Sequence, residues 1–453
     1  MTAHVLMNYR LISWRLLALL SFLALGACGT FGSIFGGGDK DETVAGDRVS
    51  IMSLENRIEP DARLAGSTVI LPAPYANEEW PQPGGYADHA MHHLASGDEL
   101  KQLWWVSAGS GSDKDVRLTA EPIMADGRIF VLDAFSNVRA LDAKNGKRLW
   151  DREIAFEDEK LREGFGGGVA YEKGTVYVAT GFGLVAALDA NTGNEKWRVK
   201  LGLPVRVSPT VNGERVFLIT HDNQLVCLAA IDGRELWRHR GIVESANMLS
   251  NTAPAVAGST VVVPYSSGEI FAIRVETGNV LWSDSLTRTG RLTSLSEIND
   301  IAGRPVIDRD RVIAASHAGR MVAIDVRSGE RVWTRDIASV QTPWVAGDYI
   351  FVLTMDSELL CLSRADGGVI WINRLERYEN EKRREDPIEW SGPVLTGDRL
   401  LVVSSHGFAV AMSPYTGEVL GRIELPERTY IAPIVANSTV YVLTDDAELV
   451  ALH

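Results

Sequence analysis

The chain has 453 residues, 45% of them apolar and 23% charged, a balance that can bury a core. Its formal charge is −14, and residues 1–27 hold two arginines and no acid, so the remainder carries −14 − 2 = −16. That excess of acid excludes an ordinary nucleic-acid binder, which needs clustered Lys and Arg to neutralise phosphates.

Arg10 and Arg15 form a positive region ahead of Leu16–Ala27, an apolar run of signal-peptide length that is too short to span a bilayer comfortably. It ends in Leu25-Gly26-Ala27-Cys28, which resembles the bacterial lipobox. The resemblance implies cleavage before Cys28 and lipidation of that cysteine. Gly29, in place of Asp, implies transfer to the outer membrane. Several acyl chains on one residue anchor stably, since each buried methylene contributes about 0.8 kcal/mol. Residues 28–46 are Gly-rich and then charged, which predicts a flexible tether. Residues 47–97 carry many prolines, including the run Trp80-Pro-Gln-Pro-Gly-Gly, and no clear periodicity. They predict an extended segment laid over the body. His89-x-x-His92-His93 lies in it without a Cys or acid at zinc-site spacing, so packing or surface histidines are expected there rather than metal ligands.

From Glu121 onward the chain repeats. The units are Pro122–Trp150, Val169–Trp197, Pro209–Trp237, Pro254–Trp282, Pro305–Trp333 and Pro343–Trp371, then Pro393–Gly421 with Gly in place of Trp, and Pro433–His453, which stops before its Trp hairpin. Each unit predicts three short alternating strands with Gly or Asp turns, and a fourth strand beginning at the Trp. In Leu188-Asp-Ala-Asn-Thr-Gly-Asn-Glu-Lys-Trp197 the turn chemistry is explicit, with Gly193 at the position that needs positive φ. Four strands per period of roughly 40–50 residues is the signature of a β-propeller. The eighth unit lacks one strand, and Asp98–Trp104, which ends like the other hairpins, is expected to supply it and close an eight-bladed ring. Trp104, Trp150, Trp197, Trp237, Trp282, Trp333 and Trp371 share one repeat position, which points to packing between blades. Ala140, Ala187, Cys227, Ala272, Ala323, Cys361, Ala411 and Ala451 share another, which predicts a small buried site and two free thiols too far apart to pair.

These repeats resemble the quinoprotein-type (PQQ-like) propeller family, whose docking motif Ala-x-Asp-x-x-Thr-Gly-x-x-x-Trp is nearly literal in Ala187–Trp197. Together with the lipobox and a compact body, the chain resembles the BamB family of outer-membrane assembly lipoproteins, in the form with an extended N-terminal segment that alphaproteobacteria carry. The resemblance covers residues 98–453. It implies a lipid-anchored protein on the periplasmic face of the outer membrane. It also implies a non-enzymatic scaffold of the β-barrel assembly (BAM) complex that binds the POTRA domains of BamA, with no cofactor, metal, nucleic acid or small-molecule substrate. The family's contact loops correspond to 246–254 and 296–304, placing apolar contacts at Met248 and Leu249 and an acidic one at Asp300, with Asn251 and Ile301 beside them. A family arginine has no counterpart in the first loop, and a second family acid falls at Ala302.

Connections 283–304 and 372–392 are the longest between units, and long loops on a rigid scaffold commonly carry binding. The second is dense in charge and reads as a solvated face. Two other readings share the fold. A PQQ-dependent dehydrogenase would carry adjacent cysteines and long ligand-bearing insertions, and the chain has neither. A different periplasmic propeller scaffold, for example a cell-envelope or division partner, is the alternative. His221, His317 and His406 fall in corresponding turns of alternate blades, so they are not expected to share a metal. Gly-x-Ser-x-Gly and P-loop patterns are absent.

Overall fold

In every repeat short apolar strands meet tight turns built on Gly, Asp or Asn, and eight such units fold into eight four-stranded antiparallel sheets. The computed structural model describes residues 57–64, 66–154, 166–244, 252–287 and 299–453. The expected signal peptide, Cys28 and the tether lie outside the described residues. Neighbouring sheets touch through their first strands, which therefore line the central channel. The second and third strands are almost wholly buried, and the fourth lies outermost with alternating exposure, as in Glu195–Lys200.

Blade eight takes its fourth strand from the other end of the chain. Gln102–Ser107 pairs antiparallel with Glu448–Leu452, so the ring is closed by its own N-terminal strand.

The small repeat position has a packing cause. Phe130, Ala140 and Trp150 lie opposite one another on strands two, three and four of blade one. Because Ala140 is small, the Trp150 ring leans across the third strand to within 5.8 Å of Phe130, centroid to centroid. Tyr177–Ala187–Trp197, Phe217–Cys227–Trp237 and Phe351–Cys361–Trp371 repeat the arrangement at 6.0–6.1 Å. A larger third-strand residue would hold the rings apart and forfeit contacts worth about 0.5–1.5 kcal/mol beyond their burial. Cys227 and Cys361 are accordingly free and buried, and burial pushes both thiols up, Cys227 to about 12.

Six of the seven repeat tryptophans, all but Trp104, also fasten their blade to the next. Trp150 Nε1 donates to the Ala190 carbonyl at 3.0 Å, Trp197 to Ala230 at 2.9 Å and Trp371 to Pro414 at 3.1 Å. The Ala190 carbonyl belongs to an Asp-x-x-Thr-Gly turn that Asp189 organises by accepting from the Asn191 and Thr192 amides. The strand register slips by one residue there, forming a bulge, and the strand starts at Glu195, two residues before the Trp. Gly193 sits at φ +69°, and a Cβ on it would lie 2.7 Å from the Trp150 ring. Both the left-handed backbone and the close approach demand glycine.

The segment before the ring explains its prolines. From Asn77 to Leu94 it circles the channel once, meeting the blades in ring order. Asn77 bonds to Val435 and Asn437 of blade eight. Trp80 exchanges two backbone bonds with Met124 of blade one, at 2.7 and 2.8 Å. Pro81 accepts from Tyr171 of blade two, and the Gln82 amide imitates a peptide group against Val211 of blade three. Ala87, Asp88 and Leu94 carbonyls accept from Val256, Ile307 and Gly397 of blades four, five and seven. His92 accepts from Trp344 Nε1 of blade six. A channel-facing first strand is a sheet edge with unpaired backbone groups, and this strap satisfies them. Proline fits because the strap is mostly an acceptor, offering carbonyls to the blades.

Candidate partner-binding face

Among the described residues, the segments that lead into the first strands lie at one end of the ring. At that end the strap forms the floor of a hollow. The loops 246–254 and 296–304 lead into the first strands of blades four and five, Ala255–Ala257 and Val306–Asp308. A hydrogen bond from Thr252 Oγ1 to the Gly303 carbonyl, 3.3 Å, joins the described parts of the two.

Of the residues expected to contact a partner, Met248, Leu249 and Asn251 lie outside the described residues. The structure buries Asp300 and Ile301, at 3% and 0% exposure, where the sequence suggested a surface contact. The reason is local: the Asp300 carbonyl accepts from the His317 amide at 2.9 Å, and Ile301 joins the core between blades four and five. These two residues hold the base of the loop rather than its surface.

Next to them Arg304 turns inward. It meets Glu121 of blade one, on the opposite side of the ring, at 2.7 Å, with both side chains 5% exposed. The second Glu121 oxygen accepts from the Gly84 amide of the strap at 3.0 Å. Sequence reading missed this pair, because nothing in the pattern links residues 183 apart.

The strap histidines do three separate jobs. His93 lies between the Pro72 and Gly397 carbonyls, 2.6 Å from each, and His92 is 3.8 Å from Asp308. His89 points Nδ1 at the Pro305 carbonyl, 2.8 Å away. No group of three metal-binding side chains forms among the described residues. Burial, helped by the Arg304 charge and opposed by the Pro305 bond, brings His89 down to about 3. The folded ring is therefore neutral, while an unfolded histidine titrates near 6.5. Its contribution to stability is complete above pH 6.5 and is lost as pH falls from 6.5 towards 3, by about 1.4 kcal/mol per pH unit. Urea unfolding at pH 6 and pH 5 should show that slope reduced by about one proton's worth in His89→Leu; an unchanged slope would contradict the assignment.

The charged connection 372–392 is a structured arm: Tyr378–Asn380 pairs with Glu385–Pro387 as a two-stranded hairpin whose outer strand is fully exposed. His221, His317 and His406 stand in separate blades, and His406 lies 4.0 Å from Glu379 of this arm.

An eight-bladed ring of Trp-docked, four-stranded blades defines the class of quinoprotein-type propellers. The family model described as "Outer membrane protein assembly factor BamB" matches residues 158–373 and 377–453, and the chain belongs to that family. A second model, for the β-propeller domain of glucose, ethanol and alcohol dehydrogenases, matches residues 93–174. Among relatives, the outer membrane protein assembly factor BamB of Moranella endobia is 23% identical over 358 residues, covering 78% of this chain and 90% of that protein. BamB of Yersinia pestis is 25% identical over 347 residues, covering 75% and 86%. In three dimensions, BamB of Moraxella catarrhalis superposes with a TM-score of 0.65 at 19% identity, over 78% of this chain and 99% of that one. The quinohemoprotein alcohol dehydrogenase of Comamonas testosteroni gives 0.66 at 15% identity, over 83% and 80%. These two likenesses describe the fold that assembly factors and dehydrogenases share.

Proposed function

We propose that the protein is a non-enzymatic scaffold of the BAM complex, anchored through lipidated Cys28 on the periplasmic side of the outer membrane. Residues 1–27 act as its signal peptide and 28–46 as its tether. It assists the folding and insertion of outer-membrane proteins by holding the POTRA domains of BamA, without cofactor or substrate chemistry. The observation that carries the reading is that the described ends of the two loops, 252–254 and 299–304, are bonded to each other through Thr252 and Gly303 in a chain of the BamB family. In this reading Met248, Leu249 and Asn251 make the contact, while Asp300 and Ile301 fix the loop from below.

Purified protein should capture the isolated BamA POTRA domains. Leu249→Asp combined with Met248→Asp should weaken capture at least tenfold, about 1.4 kcal/mol, because an apolar contact is replaced by unpaired charge. Capture by the double variant within twofold of the parent would rule out this face. Asp300→Arg is a poor probe, since a buried acid replaced by a larger cation reports on folding first.

A further inference from the structure

The arm between blades six and seven carries its charges in a definite order. Leu375 and Ile388, 7% and 6% exposed, root it in the core, and Trp390 Nε1 donates to the Glu376 carbonyl at 2.8 Å. The Ile388 amide donates to the Arg377 carbonyl at 2.9 Å, and the Arg377 guanidinium meets Asp356 of blade six at 3.2 Å. Beyond that root come the two paired strands, and the turn between them holds Lys382, Arg383 and Arg384, all exposed.

Most acids of the arm are engaged. Glu381 turns back, its carboxylate accepting from the Arg377 and Tyr378 amides at 2.7 and 3.3 Å. Glu379 lies 4.0 Å from His406, and Glu385 lies 3.9 Å from Arg383. Glu376 and Asp386 stand further back along the chain, towards the root. Lys382 and Arg384 make no ion pair among the described residues. At physiological salt a charge is felt over about 8 Å. At the turn, therefore, these cations set the sign of the surface, against the −16 of the chain beyond residue 27.

We propose that this turn docks on an anionic lipid surface, its cations taking up headgroup phosphates. The arginine fork matches phosphate oxygens in pairs, and lysine adds a point charge. The arm offers charge without an apolar anchor: none of the exposed large apolar side chains of the described residues lies on it. A protein interface is built round an apolar or aromatic centre, which this turn lacks. An anionic bilayer attracts basic segments by charge alone. That a bilayer is within reach rests on the anchored reading proposed above, and an artificial tether keeps failure of the two apart.

The purified chain, with a hexahistidine tag in place of residues 1–28, is held to vesicles by nickel-chelating lipid and labelled with a fluorescent donor at Pro387→Cys. Cys227 and Cys361 are buried and stay unlabelled. Energy transfer to a rhodamine-bearing lipid should be about twofold higher on vesicles with about 30% phosphatidylglycerol than on phosphatidylcholine alone. The gain should vanish in about 1 M salt, where screening shortens to about 3 Å. It should vanish as well when Lys382→Ser, Arg383→Ser and Arg384→Ser are combined, an exposed-turn variant whose urea midpoint should match the parent's. A donor at Ile231→Cys, 87% exposed on blade three, should show no gain. The proposal is overturned by any of four results: equal transfer on the two vesicles, a gain that the triple variant keeps, the same gain at Ile231→Cys, or release by millimolar inorganic phosphate at matched ionic strength, which would mark a site for the free ion.

Discussion

Arg304→Met should lower the free energy of unfolding by about 3–5 kcal/mol, the usual cost of leaving one member of a buried ion pair behind. The size follows from burial: Glu121 is 5% exposed and would be left with the Gly84 amide in place of its ion-pair partner. The double variant Arg304→Met, Glu121→Gln should recover most of the loss, since an amide oxygen still serves Gly84 and neither buried position is left charged. Urea unfolding of the two single variants and the double variant gives the coupling directly. A loss below 1 kcal/mol in Arg304→Met, or additive losses in the double, would mean that water already carries the charge. The pair spans the ring from blade five to blade one, so its loss loosens the joint between strap and channel rather than one blade.

Gly193→Val should cost about 2–5 kcal/mol. About 1–2 kcal/mol comes from forcing a side chain into left-handed backbone, and about 1–3 from overpacking against the Trp150 ring 2.7 Å away. The two parts separate in a second background. With Trp150→Ala already made, only the backbone part should remain, and the double variant should lose less than the sum of the singles. Strict additivity would show that the ring does not press on Gly193. The same logic extends to Gly233 against Trp197 and Gly417 against Trp371, whose Cβ positions are equally filled.

The ring was legible because the sequence states it repeatedly. Every copy of the Trp hairpin is a test of the last, and the missing copy after Val440 with the stray one at Trp104 located the closing strand. Even the exception at Gly421 has a cause in the fold. Blade eight receives its fourth strand from elsewhere and so has no Asp-x-x-Thr-Gly turn for blade seven to dock on, and a Cβ on Gly421 would meet nothing within 4 Å. At the blade eight to blade one joint Trp104 seats against Gly146, but the Ala143 carbonyl is taken by the Tyr441 hydroxyl at 3.3 Å.

The strap was not legible beyond its extended character. Asn77, Trp80, Gln82, Ala87 and Leu94 each serve a different blade, so their bonds leave no period to read. Glu121 and Arg304 look like unremarkable charges until the ring brings opposite blades together. Asp300 and Ile301 illustrate the converse. They sit in a long connection that reads as exposed, yet backbone bonding to the neighbouring turn draws them under the surface. The hairpin at Tyr378–Pro387 hid in a run of charge because its strands are only three residues long and one of them is exposed throughout, which leaves no apolar alternation to read.

The pairing of Gln102–Ser107 with Glu448–Leu452 also orders events in time. Blades one to seven each fold from neighbouring hairpins and can form without waiting for the far end of the chain. Blade eight waits, because its outer strand is made first and the strand it needs is made last. Joining strands so distant in sequence is slow, since loop closure precedes any gain in contact. During that wait Leu103 and Trp105, more than half exposed even in the closed ring, belong to a strand without a partner. The most vulnerable moment in this protein's life is therefore the interval before the eighth blade zips shut.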